Sequence, residues 1–447
     1  MSIDLSAKKA TRIHLFNFKT ATMRAFHMSW LAFFVCFFAW FACAPLMPII
    51  AEEFHLTKDQ IANINIAAVA ITILVRLIVG PLCDKYGPRK AHTGLLLIGS
   101  IPVFGLAAAN TYETFLFFRL LIGAIGASFV ITQYHTSMMF ASNVVGTANA
   151  TTAGWGNAGG GATQALMPLL LSALVMCGVE QALGWRFALV MPGIMMIIVG
   201  LMYWRYTQDC PQGNFSTLHA QGIYVSSGKK GGLAILRHAA KNYRVWVLFM
   251  AYAACFGIEI FIHNVVAMYY IEQFQFGLKE AGLTAGIFGL LALFARALGG
   301  IVSDRIAVNK GLDGRTHVLF FMIVLEGVFL VLFSYMQTPL LAILSMTVFA
   351  IFTHMACGAT YALMPFIDRD ALGGVAGIIG AGGNVGAVAA GFLLKGMLDI
   401  QTCLMALGVL VIIAGVCVLS IRFSTTHKAK EQQLFEEALR ERANTMK

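Results

Sequence analysis

The stretch LVRLIVGPLCDKYG, residues 74–87, places an arginine inside an apolar segment, where a charged side chain is unexpected. The stretch FARALGGIVSDRIA, residues 294–307, repeats the arrangement. In both, glycine follows the arginine by four positions and aspartate by eight, which gives Arg76, Gly80 and Asp84, then Arg296, Gly300 and Asp304. The same pattern in two distant parts of one chain indicates an internal repeat.

The composition around these stretches is that of a polytopic membrane protein. The 447 residues are 59% hydrophobic and 12% charged, whereas globular domains carry about 25% charged residues. Apolar runs of about 20 residues can span a bilayer. Twelve such runs occur, at 28–50, 61–82, 92–109, 113–135, 152–176, 186–205, 244–270, 281–303, 316–336, 339–364, 373–395 and 401–422. They predict an all-α membrane protein of twelve transmembrane helices in two pseudo-symmetric six-helix bundles.

The long polar interval between the sixth and seventh runs separates the two halves. The predicted segments are a cytoplasmic N-terminal segment 1–27, a first bundle 28–205, a cytoplasmic linker 206–243, a second bundle 244–422 and a cytoplasmic tail 423–447. The basic, polar first segment predicts no cleavable signal peptide. Parallel six-helix halves are typical of transporters whose site lies at the midplane between the halves.

The distribution of basic residues predicts the orientation. With both termini in the cytoplasm, 24 of the 31 Lys and Arg lie on the cytoplasmic side, four lie outside and three lie inside spans. This asymmetry follows the positive-inside rule. The net charge of +10 therefore indicates membrane topology and no nucleic-acid partner. The nine cysteines lie mostly within spans in no paired pattern, so we predict neither disulfide, metal site nor cofactor.

The buried arginines need a physical reason. An arginine at the centre of a bilayer costs about 2.5–3.5 kcal/mol on insertion scales. One explanation is a structural ion pair with a mid-span carboxylate, for which Glu259 and Glu326 are available. The other is that Arg76 and Arg296 face each other and bind one anion, since guanidinium offers paired donors that match a planar oxyanion.

A second repeat lies in the fifth span of each half. AGWGNAGGG at 153–161 and GAGGNVGA at 380–387 share Gly-Asn-x-Gly. Glycines such as Gly159 and Gly383 allow helix backbones to approach closely, which favours a small ligand that the amides of Asn157 and Asn384 can contact. For the glycines, helix packing is the alternative interpretation.

The seventh span carries an aromatic and ionisable stripe. Tyr252, Phe256, Glu259 and His263 are spaced by four, three and four residues, which places them on one helix face. Such a face is expected to line a cavity. With Phe129 of the fourth span, the aromatics can hold a flat anion between rings from opposite halves. An ordinary aromatic core remains the alternative.

The segment GPLCDKYGPRK, residues 80–90, fits the signature of the major facilitator superfamily between its second and third spans. Asp84 and Arg89 are candidate gating residues, because they can hold a helix end in one state and release it in the other. Asp304 is the counterpart in the second half. RLLIGAIG, residues 119–126, is similar to the fourth-span motif of proton-linked members, with Arg119 at the motif position.

The repeats also resemble one family within that superfamily. TTAGWGNAGGGATQALMP and GIIGAGGNVGAVAAGFLLKG look like the two signature segments of the nitrate/nitrite porter family, and GIEIFIHNVVAMYY is similar to its high-affinity nitrate transporter branch. The resemblance implies import of nitrate, and also of nitrite, by alternating access. It implies that Arg76 and Arg296 hold the anion and that Phe129, Tyr252 and Phe256 flank it, with the signature asparagines at Asn157 and Asn384. The short central and C-terminal segments lead us to expect a bacterial inner-membrane protein without an accessory subunit.

The mode of coupling is open at this stage. Anion entry against a negative cytoplasm must be driven, and we expect proton-coupled symport with Glu259 as first candidate carrier and His263 or Glu326 next. Alternatives are nitrate/nitrite antiport and exchange of another small anion such as a carboxylate. A membrane-embedded enzyme or sensor lacks support, because the sequence holds no nucleophile constellation, metal-ligand spacing or soluble domain.

Overall fold

A computed structural model describes residues 9–222, 232–369, 371–396 and 399–444. Within these ranges the regular structure is helical throughout. The helices fall into two consecutive groups that contact each other along their length, which confirms the predicted fold class.

The first half contains eight α-helices. They are α1 (Ala21–Phe41), α2 (Met47–Glu53), α3 (Lys58–Tyr86), α4 (Pro88–Ala107), α5 (Tyr112–Ile122), α6 (Ser128–Met139), α7 (Val145–Met176) and α8 (Gln181–Tyr206). The fourth predicted span consists of α5 and α6, joined by a 3₁₀ segment at Gly123–Ala127.

The connecting segment and the second half supply the others. They are α9 (Phe215–Ala220), α10 (Gly232–Ala240), α11 (Tyr243–Phe274), α12 (Leu278–Leu290), α13 (Ala292–Ser334), α14 (Pro339–Leu363), α15 (Leu372–Gly396), α16 (Ile400–Val418) and α17 (Thr425–Asn444). The predicted linker and tail thus carry helices of their own, while residues 1–8, 223–231 and 445–447 lie outside the described ranges.

The number of crossings depends on one glycine. Eleven helical segments in the described ranges are long and apolar enough to span a membrane, and one of them, Lys279–Ser334, has 56 residues. A straight helix of that length would extend about 84 Å, against a hydrocarbon core of about 30 Å. The chain reverses at Gly311, which has a φ of 55° and a ψ of −140°, a backbone conformation that glycine adopts without steric strain. The segment therefore makes two crossings, which brings the number in the described ranges to twelve.

Local signals explain where the helices begin. Thr57 and Thr111 each accept a hydrogen bond from the backbone three residues later and form capping boxes at α3 and α5. Gly87 has a φ of 89° and is the single residue between α3 and α4. Asp84 consequently lies within the last turn of α3, and the connection predicted over 80–90 is tighter than expected.

The two halves meet where α3 packs against α15 and where α7 packs against α12, α13 and α14. Glycines make the approach possible: a Cβ on Gly80 would collide with the backbone of Gly373, and one on Gly161 would lie 2.5 Å from the backbone nitrogen of Leu290. Small residues of this kind are typical of close helix contacts in membranes. The predicted repeat segments therefore form the interface between the halves.

Candidate functional site

Arg76 lies in the middle of α3 and is fully buried. Its Nε and Nη2 donate to the carbonyl oxygen of Gly126 at 3.1 and 2.8 Å, and its Nη1 donates to the carbonyl oxygen of Gly380 in the other half. Gly126 belongs to the 3₁₀ segment of the fourth span, where the regular α-helical hydrogen-bond pattern is interrupted. Carbonyl dipoles from both halves thus solvate this guanidinium.

Arg296 is the counterpart in α13 and is equally buried. Its Nη2 forms an ion pair with Glu259 of α11, and its Nη1 donates to the hydroxyl of Tyr361 at 3.0 Å. With the Asn157 amide oriented so that its oxygen faces the guanidinium, this oxygen accepts from Nη2 at 2.8 Å. Arg296 is therefore held by groups from both halves, one of which is a carboxylate.

The two arginines differ in charge balance. Arg296 has Glu259 as counter-ion, whereas no carboxylate forms an ion pair with Arg76 in the described part of the chain. A buried cation without an anionic partner is costly in a membrane protein. The site around the two arginines thus carries one uncompensated positive charge, which suits a single monovalent anion.

Three aromatic rings lie between the arginines. Phe129 of α6 stacks on Tyr252 of α11 with ring centroids 5.2 Å apart, and Tyr252 stacks on Phe256 at 4.8 Å. The guanidinium carbon of Arg76 lies 5.0 Å from the Phe256 centroid and that of Arg296 lies 6.0 Å from it. Both arginines therefore face one ring. The predicted rings from opposite halves come together, and they contact each other directly.

A hydrogen-bonded chain joins this aromatic group to Arg296. The hydroxyls of Tyr252 and Tyr361 are 2.9 Å apart, and Tyr361 accepts from Arg296. His354 also lies on α14. Its Nε2 donates to the carbonyl oxygen of Phe288 at 2.8 Å, which leaves Nδ1 as an acceptor 3.3 Å from Arg296 Nη2. Sequence reasoning missed His354 and Tyr361. Their spacing of seven residues, on one face of an apolar span, was the available signal.

The signature asparagines connect the halves. Asn157 of the first half faces Arg296 of the second, and Asn384 Nδ2 of the second half donates to the carbonyl of Val69 in α3 at 3.1 Å. The signature glycines serve packing. A Cβ on Gly159 would collide with the backbone of Phe34, so this glycine lets α7 pack closely on α1. A Cβ on Gly383 would collide with Phe256, so this glycine seats the aromatic group.

The residues predicted to take part in proton coupling differ in their surroundings. His263 Nε2 lies 3.9 Å from Glu259 Oε1, and neither atom has a hydrogen-bond partner in the described ranges. Glu326 is fully buried, and both its carboxyl oxygens also lack hydrogen-bond partners there. Arg119 donates to the carbonyl of Trp40 at the end of α1, where it stabilises the negative end of that helix. The coupling role of Arg119 stays a prediction.

The two repeat aspartates lie at the beginnings of helices of the opposite half. Asp304 accepts from the backbone nitrogen and hydroxyl of Thr147, at 2.7 and 2.6 Å, in the first turn of α7. It also pairs with Arg315 at 2.5 Å. Asp84 is buried against the first turn of α15, where a Cβ on Gly373 would collide with its carboxylate. A carboxylate at a helix N-terminus is favourable, and we name these two contacts the gate contacts.

Arg89 lies elsewhere. Its Nε and Nη2 donate to the carbonyl of Trp204 at 2.9 and 2.6 Å, and its backbone nitrogen donates to Asp209 at 2.9 Å. Burial raises the pKa of Asp209 above its usual value, although hydrogen bonds from Phe215 and Arg89 oppose this shift. All these partners belong to the first half or the connecting segment, so Arg89 anchors α4 to the end of α8, and its gating role stays a prediction.

Comparison with solved structures shows the fold. The human organic anion transporter MFSD10 (TETRAN) superposes with a TM-score of 0.63 at 12% identity, over 90% of this chain and all of that one. A bacterial homologue of the human lysosomal transporter Spinster, inward-facing and unoccupied, gives 0.58 at 15% identity over 94% and 98% of the two chains. At these identities the likeness concerns the fold alone.

Comparison with sequences is more specific. The profile of the Major Facilitator Superfamily matches residues 29–367 and 266–445. The high affinity nitrate transporter 2.5 of Arabidopsis thaliana is 39% identical over 85% of this chain and 75% of its own length, and nitrate transporter 2.2 of Chlamydomonas reinhardtii is 37% identical over 86% and 74%. The nitrate/nitrite transporter NrtP of Nostoc punctiforme is 28% identical over 84% and 87%. The chain is therefore a multi-pass membrane protein of the major facilitator superfamily, and within it belongs to the family of the high-affinity nitrate transporters.

Proposed function

We propose that this protein transports nitrate, and also nitrite, across a membrane by alternating access at the site between Arg76 and Arg296. The observation that carries the proposal is the buried guanidinium of Arg76, which donates to carbonyls of both halves and pairs with no carboxylate in the described ranges. The relatives named as nitrate transporters support the identity of the anion.

The chemistry of the site suits a small planar oxyanion. The guanidinium carbons of Arg76 and Arg296 lie 5.0 and 6.0 Å from the centroid of Phe256, so an anion bound beside this ring would be near both arginines. Guanidinium groups bind flat oxyanions through paired donors. A nitrate at Arg76 would take over the hydrogen bond now made to Gly380, which belongs to the opposite half. Anion binding and the contact between the halves would then compete for one donor.

The gate contacts would close one end of the bundle in one state of the transport cycle and open it in the other. Asp84 of the first half lies against α15 of the second, and Asp304 of the second half holds α7 of the first. The two contacts are related by the internal repeat and lie at the same end of the bundle, where α3 and α13 turn. Release of both would open that end, which we propose is the cytoplasmic one. With this orientation both termini are cytoplasmic and 24 of the 31 Lys and Arg lie on that side, in agreement with the positive-inside rule.

Coupling to protons is the second part of the proposal. At about −100 mV, entry of one negative charge is opposed by about 2.3 kcal/mol. Glu259 Oε2 is held by Arg296, while Oε1 faces His263 at 3.9 Å. An anion at Arg296 competes with this carboxylate, and a buried carboxylate that loses its cation takes up a proton. One proton per nitrate makes the transfer electroneutral. We place this proton on the Glu259 and His263 pair.

The experiment is uptake of nitrate into proteoliposomes that contain the purified chain alone. Symport predicts uptake driven by an imposed pH gradient without internal anion, and its loss in Glu259→Gln. Glu272→Gln, the same change at an exposed position of α11, is the matched control. Uptake that ignores the pH gradient and requires internal nitrite would establish antiport instead. Symport intact in Glu259→Gln would move the proton to Glu326, which is also a fully buried carboxylate.

The same preparation tests the substrate and the partners. We propose the bacterial inner membrane as location and no accessory subunit, so the chain should be active on its own. Excess nitrite should compete with labelled nitrate, whereas small carboxylates should not. Competition by a carboxylate and none by nitrite would favour a carboxylate exchanger of the same fold.

A further inference from the structure

A cavity lies at the end of the bundle that carries the gate contacts. Its volume is about 330 Å³, and it lies between α17 and the reversal of α13 at Gly311. Its lining includes the basic side chains of Lys310, Arg315 and Lys428, the amide of Gln432, and apolar walls from Phe366 and Phe435. The central transport site shares none of these residues.

Helix α17 is fixed over this cavity by specific contacts. Lys428 pairs with Asp313 at 2.6 Å, and Arg369 binds both carboxyl oxygens of Glu431 at 2.8 and 2.6 Å. His427 contacts the carbonyl of Phe366 at 2.9 Å. These contacts join the C-terminal helix to the turns that follow α14 and interrupt α13, so specific side-chain contacts hold the walls of the cavity in place.

The polar groups of the cavity favour an anion. Arg315 is 1% exposed; its Nη1 donates to Asp304 at 2.5 Å, while its Nη2 is buried without a hydrogen-bond partner in the described ranges. Lys310 forms no ion pair within those ranges. The carboxylate of Glu431, which also lines the cavity, is neutralised by Arg369. Donors therefore outnumber the acceptors that remain open.

We propose that this cavity is a second anion site, which binds a carboxylate or phosphate group on a small organic body. The guanidinium Nη2 of Arg315 and the ammonium of Lys310 would bind the charge, and Phe366 and Phe435 would cover the apolar part. Such a group occurs both in soluble metabolites and in the headgroups of acidic lipids. The site adjoins one of the gate contacts, because Arg315 also forms an ion pair with Asp304. Occupancy would thus bear on the opening of that end.

Calorimetric titration of the purified protein in nanodiscs of neutral lipid tests the proposal, with succinate and inorganic phosphate as separate probes. We expect saturable one-to-one binding of one of these probes, weakened about tenfold or more in Lys310→Gln, since a charge-assisted hydrogen bond is lost. Gln432→Trp, which fills the cavity, should have the same effect. Lys430→Gln, an exposed lysine of α17 outside the lining, and Arg76→Lys, in the transport site, should bind like the wild type.

A lipid arm distinguishes the source of the ligand. If neither soluble probe binds, nanodiscs with phosphatidylglycerol should raise the melting temperature of the wild type more than that of Lys310→Gln, and the headgroup is then the ligand. The proposal is overturned if neither arm gives a signal, if Lys310→Gln and Lys430→Gln behave alike, or if nitrate displaces the probe and Arg76→Lys abolishes its binding.

Discussion

The replacement Arg76→Lys separates charge from hydrogen-bond geometry at the centre of the site. Lysine keeps the positive charge, but its single ammonium replaces three guanidinium nitrogens that now donate to Gly126 and Gly380. It cannot present two parallel donors to a flat anion. We therefore expect the variant to fold and to remain cationic, but to bind nitrate weakly.

The magnitude follows from the number of donors lost. A hydrogen bond to a charged partner contributes about 1.5–3 kcal/mol, and about 1.4 kcal/mol changes an affinity tenfold. Loss of one such bond to nitrate therefore predicts an affinity reduced by about ten- to 100-fold. Isothermal titration of the purified variant with nitrate measures this directly, after thermal unfolding has shown that it is folded.

Arg119→Lys is the matched control. Arg119 is another buried arginine of the first half, and its guanidinium donates to the carbonyl of Trp40 away from the aromatic group. This variant should bind nitrate within about twofold of the wild type, because lysine also retains a donor for one carbonyl. An Arg76→Lys affinity equal to that of the wild type, or an equal loss in both variants, would refute the assignment of Arg76.

Three further predictions concern the rings, the gate and the N-terminal segment. Phe256→Ala removes the ring that both arginines face, so larger anions should compete better with nitrate in uptake assays; unchanged selectivity would make Phe256 core packing. Asp304→Asn breaks the pair with Arg315, so hydrogen exchange at the Thr147 amide should accelerate, and an unchanged rate would argue against the gate contact. Burial and the nearby Arg369 lower the pKa of Lys9 from 10.5 to about 8. The unfolded chain then binds more protons between these values, so stability should rise with pH there, by at most about 1.4 kcal/mol per unit; thermal unfolding of Lys9→Met should lack this rise.

The repeated segments made much of this arrangement predictable. Two stretches with the same spacing occupy the same position in two similar halves, so Arg76 and Arg296 had to lie on equivalent helices, and Asp84 and Asp304 at equivalent ends. The one-face spacing of the seventh span likewise predicted that Tyr252 and Phe256 share a surface. These inferences need only helical periodicity and the repeat.

Contacts between spans could not be predicted in the same way. Spacing within one helix does not show which neighbour its face meets, so the partner of Glu259 and the parts played by His354 and Tyr361 came from the structure. A motif match also fixes no contact: Arg119 and Arg89 match known positions, yet bind backbone carbonyls at helix ends.

Nitrate uptake by proteoliposomes that contain the purified chain as their only protein tests the central claim most directly. We expect accumulation of isotope-labelled nitrate under an inward proton gradient, well above that of protein-free liposomes and of liposomes with Arg76→Lys. Uptake by the wild type that does not exceed the protein-free level, under a pH gradient and with internal nitrite alike, would contradict it.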